Sequence, residues 1–174
     1  MERNYILIGL PTAGKSTLGV VLAKTLGYDY IDTDLLIQKR EGCRLEETIR
    51  RKGDEAFLDI EAAVCTGLEA AHTVIATGGS VIYRAHAMEH LKRLGTVIYL
   101  RISLETLLER LHDAEGRGVV LRDGQSVEDL YHERIRLYEQ YAELTVDEGE
   151  KSFEEVLNAV LTGIREYEND RQEL

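Results

Sequence analysis

Eight residues near the start of the chain, Gly9-Leu10-Pro11-Thr12-Ala13-Gly14-Lys15-Ser16, match the spacing G-x-x-x-x-G-K-[ST]. Glycine at 9 and 14 lets the backbone turn where a Cβ would be strained, so successive N–H groups can converge on one anion. An ammonium from Lys15 and a hydroxyl from Ser16 add a cation and a metal ligand, the set that a nucleotide polyphosphate with Mg²⁺ requires. The alternative is a glycine turn ahead of a helix that carries Lys-Ser by chance. Context argues against it, because the apolar run 5–8 reads as a strand and Leu18, Val21, Leu22 and Leu26 recur at helical spacing. Two carboxylates two residues apart, Asp32 and Asp34, follow at the end of a second apolar run. On an extended strand end both point the same way and can reach one ligand. Alone, they would suit a turn with a helix N-cap equally well.

The elements that must carry these groups alternate along the chain. Strands are expected at 5–8, 28–31, 73–77, 97–100 and 144–146. Helices are expected at 15–26, 33–41, 45–52, 54–71, 84–94, 103–112, 126–142 and 152–167. Gly27 stands as the C-cap of the first, Ser103 as an N-cap, and Ser152 with Glu155 as a capping box. Residues 113–124 hold three glycines and mixed charges, which suggests a mobile loop. Strands separated by helices predict an α/β fold with a parallel sheet, helices on both faces and right-handed crossovers. A length of 174 residues suits a single domain, 1–174.

Composition bounds the partners. Net charge is −11, from 21 basic and 32 acidic residues, which disfavours a general nucleic-acid binder. An anionic small molecule remains acceptable, because a few local arginines outweigh a global excess at short range. No stretch approaches the roughly 20 apolar residues of a membrane span, and the first residues lack the pattern of a secretory signal. Cys43 and Cys65 form no CxxC pair, and the five histidines show no metal spacing. A reduced, cytoplasmic protein without membrane or nucleic-acid partners is expected.

The class of nucleotide-binding protein narrows by elimination and then by motif order. Asn-Lys-x-Asp, the guanine reader of GTPases, does not occur, nor does a run of four apolar residues leading into Asp-Glu. After the phosphate loop come Asp32-Thr33-Asp34, Gly53 through Glu61, Ala76-Thr77-Gly78-Gly79-Ser80, a segment around Arg117, and Arg134-Ile135-Arg136-Leu137-Tyr138. In this order the chain resembles the shikimate kinases, from about Tyr5 to about Ile164. The resemblance implies a P-loop kinase with a five-stranded parallel sheet of order 2-3-1-4-5. It also implies substrate-binding helices over about 33–72 and a mobile lid over about 112–124. The implied reaction moves the γ-phosphoryl group of ATP, with Mg²⁺, to a hydroxyl of shikimate, giving shikimate 3-phosphate in aromatic amino acid biosynthesis.

Residue by residue, the resemblance implies that Gly9, Ala13, Gly14, Lys15, Ser16 and Thr17 hold the nucleotide, with Arg110 over the adenine; Phe153 stands where the family often has a proline on the other adenine face, and its ring would stack there instead. Ser16 and Asp32 would serve the metal. Asp34 would contact the acceptor's hydroxyls and take its proton, acting with Lys15 and with Arg117, which would close over the phosphates. Gly78 and Gly79 match the first two glycines of a Gly-Gly-Gly loop against the substrate, and Arg134 matches the arginine that holds its carboxylate. A monomer acting on a small, anionic acceptor is expected.

Two departures from the family pattern bear on the acceptor pocket. Leu58 stands where the family has an arginine that is one jaw of the carboxylate clamp and the usual partner of Glu61. Ser80 stands for the third glycine, adding a hydroxyl where backbone normally meets substrate. Arg136, in place of the family's proline, is a candidate replacement cation, as are Arg50 and Arg51. The departures keep open a kinase for another hydroxy acid, an amino-acid alcohol or a polyol. A nucleotide-binding regulator without kinase activity is a third reading, which the retained Lys15, Ser16, Asp32 and Asp34 disfavour.

Overall fold

All five residues of β1 (Asn4–Ile8) are buried, as a central strand of a sheet covered on both faces must be. The structure, a computed structural model, describes residues 3–113 and 124–172, so Arg117 and most of the expected lid lie outside the described residues. On one side β1 pairs in parallel with β3 (Thr73–Ala76), on the other with β4 (Gly95–Arg101). The edges are β2 (Asp29–Asp32) beside β3 and β5 (Leu144–Asp147) beside β4. The sheet is therefore five-stranded and parallel in the order β2-β3-β1-β4-β5, as expected.

Eight helices among the described residues join and cover the strands. They are α1 (Lys15–Leu26), α2 (Thr33–Glu41), α3 (Leu45–Lys52), α4 (Asp54–Thr66), α5 (Ala85–Leu94), α6 (Leu104–Asp113), α7 (Val127–Tyr141) and α8 (Phe153–Gln172). A short 3₁₀ turn, Val81–Tyr83, precedes α5. Ile6, Leu7 and Ile8 of β1 and Val97, Ile98 and Leu100 of β4 form the middle of the core. The first side chain of β1 fastens it: the Asn4 amide donates to Ala70 O (2.7 Å) and Leu94 O (2.9 Å) and accepts from Thr73 N (3.0 Å).

The cap residues behave as their chemistry dictates. Gly27 adopts φ 73° and closes α1, and Ser103 Oγ accepts from the N–H of Thr106. Ser152 and Glu155 hydrogen-bond reciprocally ahead of α8. Ser126 and Asp129 form a second capping box at the start of α7 that the sequence reading did not single out. Three boundaries differ from expectation. α4 stops at Thr66 rather than near 71, because Gly67 closes it onto Ala63 O and Asn4 claims the carbonyl of Ala70. Gly95 begins β4 instead of merely ending a helix: a Cβ there would lie 2.2 Å from Asn4 O, so the close strand contact demands glycine. α8 runs on past 167, where the Tyr167 hydroxyl donates to Glu143 Oε1 at 2.6 Å.

The chain leaves β1 in one direction toward β3 and β2 and later returns on its other side as β4. That reversal opens a crevice at the carboxyl ends of β1 and β3, the usual ligand position of such sheets. The phosphate loop follows β1, the two aspartates end β2 and begin α2, and Gly78-Gly79-Ser80 follows β3, so one crevice collects all three motifs.

Candidate active site

A cavity of about 560 Å³ lies in this crevice. Pro11, Thr12, Gly14, Lys15, Ser16 and Thr17 line one half. The other half is formed by Asp34, Phe57, Glu61, Gly78, Gly79, Ser80 and Arg134, with Leu45, Glu46 and Ile49 of α3 at one wall.

The phosphate-loop half is built from strained backbone and unsatisfied donors. Gly9 takes φ 151°, and a Cβ there would meet Leu100 O at 2.6 Å. Gly14 sits in the left-handed region at φ 70° and starts α1 without a side-chain cap. The first turn of α1 carries no acidic residue, unlike those of α2, α7 and α8, so its free N–H groups and positive dipole end face the cavity undiminished. Thr12, a non-glycine at φ 68°, holds a buried hydroxyl with no hydrogen-bond partner. Ala13 is buried and spends its N–H on Leu10 O at 3.2 Å. Lys15 is buried and folds onto its own loop, donating to Gly9 O (2.9 Å) and Leu10 O (2.8 Å). Burial lowers its pKa to about 8, against the opposing pull of Asp34. A polyanion would restore that charge and use its third donor.

Asp32 caps a helix and keeps its second oxygen toward β2. Its Oδ1 accepts from the N–H of Asp34 and caps α2, while its Oδ2 accepts from the Tyr30 hydroxyl at 3.1 Å. The same Tyr30 hydroxyl lies 3.1 Å from Ser16 O, so its single proton is shared between the two acceptors and links the end of β2 to the first turn of α1. These residues fit a magnesium-bound polyphosphate: an uncapped helix start, a buried ammonium, an orphaned hydroxyl, and Ser16 exposed on the cavity wall. Ser16 and Asp32 would hold Mg²⁺, a metal that keeps several waters and needs no all-protein cage.

Asp34 faces the second half. Burial, then the neighbouring Asp32 charge, raises its pKa to about 6, with Lys15 opposing. That is a carboxylate poised to accept a proton near neutrality. Across from it, Arg134 is buried, donates from Nε to the Tyr83 hydroxyl (3.3 Å) and lies 5.3 Å over the Tyr83 ring. Gly78 and Gly79 fill the space between. A Cβ on Gly78 would sit 2.1 Å from Glu61 Oε1 and 2.9 Å from Asp34 Oδ1, and one on Gly79 would sit 3.2 Å from Arg134 Nη1. Gly78→Ala is therefore expected to displace both carboxylates and lower kcat/KM for the acceptor about 100-fold, with KM for ATP little changed, in initial-rate assays.

The glycine loop is held from two sides that the sequence reading gave no role. Thr33 Oγ1 accepts from Gly78 N at 3.3 Å, and the Tyr138 hydroxyl donates to Gly79 O at 2.6 Å. The signal for Tyr138 was present: four residues after Arg134 on one helix, it shares that residue's face. Phe57, inside the Gly53–Glu61 segment and given no role there, lines the cavity four residues before Glu61.

Several candidates do not reach the cavity. Leu58 is buried and is not among the lining residues; α4 presents Phe57 and Glu61 there instead. Arg136 is exposed and lines a separate surface hollow with His132, Glu133 and Leu137. Arg50 and Arg51 are exposed, and Arg51 pairs with Glu47 at 3.8 Å. Among the described lining residues, Lys15 and Arg134 are the two cations. Glu61 instead receives the Ser80 hydroxyl, 2.6 Å from its Oε2. Ser80 thus supplies a partner to the carboxylate whose usual arginine is absent at Leu58.

Arg110 touches the phosphate loop, donating from Nη1 to Thr12 O and pairing through Nη2 with Glu148, each at 2.8 Å. Glu148, buried just after β5, carries a pKa raised by burial, with the Arg110 hydrogen bond opposing. Nothing in its sequence surroundings marked it. Phe153 starts α8 at 43% exposure and is not among the cavity-lining residues.

The shikimate kinase family profile matches residues 11–165. A shikimate kinase of Persephonella marina is 33% identical over 164 residues, covering 94% of this chain and 99% of that protein. One from Clostridium botulinum is 39% identical, over 79% of this chain and 83% of its own. A solved structure of Acinetobacter baumannii shikimate kinase in complex with shikimate superposes with a TM-score of 0.85 at 29% identity, covering 95% of this chain and 94% of that one. Sequence match, relatives and crevice chemistry agree: the chain belongs to the shikimate kinase family and is an ATP-dependent small-molecule kinase that works with Mg²⁺.

Proposed function

We propose that this kinase phosphorylates shikimate at a ring hydroxyl, giving shikimate 3-phosphate, and that it does so in the cytoplasm. The observation that carries the reading is that Asp34 and Arg134 line one cavity with the phosphate loop, a proton acceptor and a carboxylate-binding cation facing the same space. Its relatives carry the shikimate kinase name, and one structural neighbour holds shikimate. In this reading the helices within 33–72 form the acceptor wall.

Bound MgATP supplies an electrophilic γ-phosphoryl group. The chain's residues do the rest. Gly14, Ser16 and Thr17 offer backbone donors and Lys15 an ammonium to the phosphates, where charge spreads as the group transfers. Arg134 grips the acceptor's carboxylate and fixes its orientation. Asp34 accepts the proton that the attacking hydroxyl gives up. Gly78 and Gly79, without side chains, let the acceptor approach the loop backbone. Arg117, outside the described residues, is proposed to close over the phosphates, and Arg110 and Phe153 to contact the adenine.

The pH dependence follows from two groups. Below about pH 6 Asp34 is protonated and cannot accept a proton, so kcat/KM for the acceptor falls on the acid side. Above about pH 8 the free enzyme loses the Lys15 charge, so kcat/KM for ATP falls on the alkaline side. The alkaline limb of kcat lies higher, because bound phosphates hold that proton on. Initial rates across pH 5–10 check both limbs.

An ADP-release assay with shikimate tests the substrate. Turnover with micromolar to millimolar KM is expected; no turnover at millimolar shikimate overturns the assignment. One observation favours a second reading, a different hydroxy acid or a polyol: Arg134 is the lone cation lining the acceptor half among the described residues. In that case a panel of small alcohols contains one acceptor clearly better than shikimate.

A further inference from the structure

Ser80 occupies the N-cap position of the 3₁₀ turn yet makes no capping hydrogen bond with its side chain. Its hydroxyl instead crosses to α4 and meets Glu61 Oε2 at 2.6 Å, with both residues buried. Among the described residues this hydroxyl is the hydrogen-bond donor to Glu61, whose other oxygen, Oε1, is buried with no partner. Oε1 packs against Gly78, close to the same point as Asp34 Oδ1.

An unpartnered oxygen on a buried acid is costly and would swing away unless its other half were held. Without a bond at Oε2, Glu61 could turn about its side-chain torsions and release the wall against which Gly78 rests. We propose that Ser80 is a positioning residue for the acceptor site. Its hydroxyl locks the Glu61 carboxylate against the glycine loop, and Glu61 so held fixes where Gly78 and Asp34 stand relative to the acceptor. The acceptor role of that wall rests on the function proposed above; the lock itself does not.

The charged and titratable groups around Glu61 come from four neighbouring segments: Asp34 on α2, Arg134 on α7, Lys15 on the phosphate loop and Cys65 on its own helix. Burial is the main cause that raises Glu61 to about pKa 7, and the Ser80 hydrogen bond is the first opposing influence. Removing the hydroxyl therefore moves the Glu61 titration upward, whichever molecule the enzyme phosphorylates.

The test uses the full chain as wild type, Ser80→Ala and Ser80→Thr. Carboxyl ¹³C NMR of the substrate-free protein follows the Glu61 titration, assigned with Glu61→Gln. Initial rates give kcat and KM for shikimate and ATP. Ser80→Ala is expected to raise the Glu61 titration midpoint and to increase the acceptor KM about tenfold, with KM for ATP within about twofold of wild type. Ser80→Thr, which keeps the hydroxyl, is expected to retain the wild-type midpoint. An unmoved midpoint in Ser80→Ala overturns the lock. A moved midpoint with an unchanged acceptor KM overturns its role in placing the acceptor. A wild-type protein inert toward shikimate whose midpoint still shifts in Ser80→Ala removes the substrate assignment and leaves the lock standing.

Discussion

Asp34→Asn is expected to lower kcat with the acceptor by about 10³-fold, within the usual worth of a positioned general base. KM for ATP should stay near the wild-type value. The reason lies in what the substitution keeps. The backbone N–H of Asp34 donates to Asp32 Oδ1 and caps α2, and asparagine preserves that bond. Size and shape are unchanged as well. What disappears is the carboxylate that burial and Asp32 hold near pKa 6. An amide in its place accepts no proton near neutrality, so a fall in kcat with intact nucleotide binding isolates the proton transfer. Steady-state rates with calorimetric titration of ATP would measure both quantities.

Arg134→Met is expected to raise the acceptor KM by about two to three orders of magnitude, the cost of taking one partner from a buried charge pair. In a site with two clamping arginines the loss would be shared. Here Leu58 stands buried outside the cavity, Arg136 is on the exposed face of α7, and the remaining lining cation, Lys15, belongs to the phosphate loop. Arg134→Lys should recover only part of the loss, because a point charge cannot reproduce a planar fork set against Tyr83. An acceptor analogue lacking its carboxylate should be nearly indifferent to either substitution. Comparing that analogue with the parent acceptor in both variants checks the assignment of Arg134 as a carboxylate partner.

Much of this was legible in the residues because local rules and global fold agree. Gly9, Gly14 and Lys15 are spaced for a loop whose N–H groups converge on an anion, and the structure shows positive φ at both glycines and the lysine folded back onto the loop. Strand and helix periodicity carried the alternation of elements, and the resemblance to the family carried the sheet order. The helix caps Gly27, Ser103 and Ser152 were readable because capping is a contact between near neighbours.

What escaped the sequence depends on contacts between distant residues. Tyr138 reaches Gly79 across 59 positions, and Ser80 reaches Glu61 across 19 and between two elements. No periodicity encodes such pairs. The sequence marked Leu58 and Ser80 as separate anomalies and sought a replacement cation for the acceptor's carboxylate; the structure shows Glu61, which lacks that arginine, taking the Ser80 hydroxyl as its partner. Arg110 is a similar case. Its resemblance to an adenine-stacking arginine says nothing of the Glu148 carboxylate that pairs with it beside the phosphate loop. Past the Gly67 cap that ends α4, the chain is held by Asn4, whose amide captures the Ala70 carbonyl 66 residues away.

The most direct measurement of the central claim is a crystal structure of the chain with ADP, Mg²⁺ and shikimate. The diphosphate is expected on the first turn of α1, with a shikimate hydroxyl within hydrogen-bond reach of Asp34 and the shikimate carboxylate on Arg134. Shikimate absent from the crevice at saturating concentration, or bound with its hydroxyls turned away from Asp34, would contradict it.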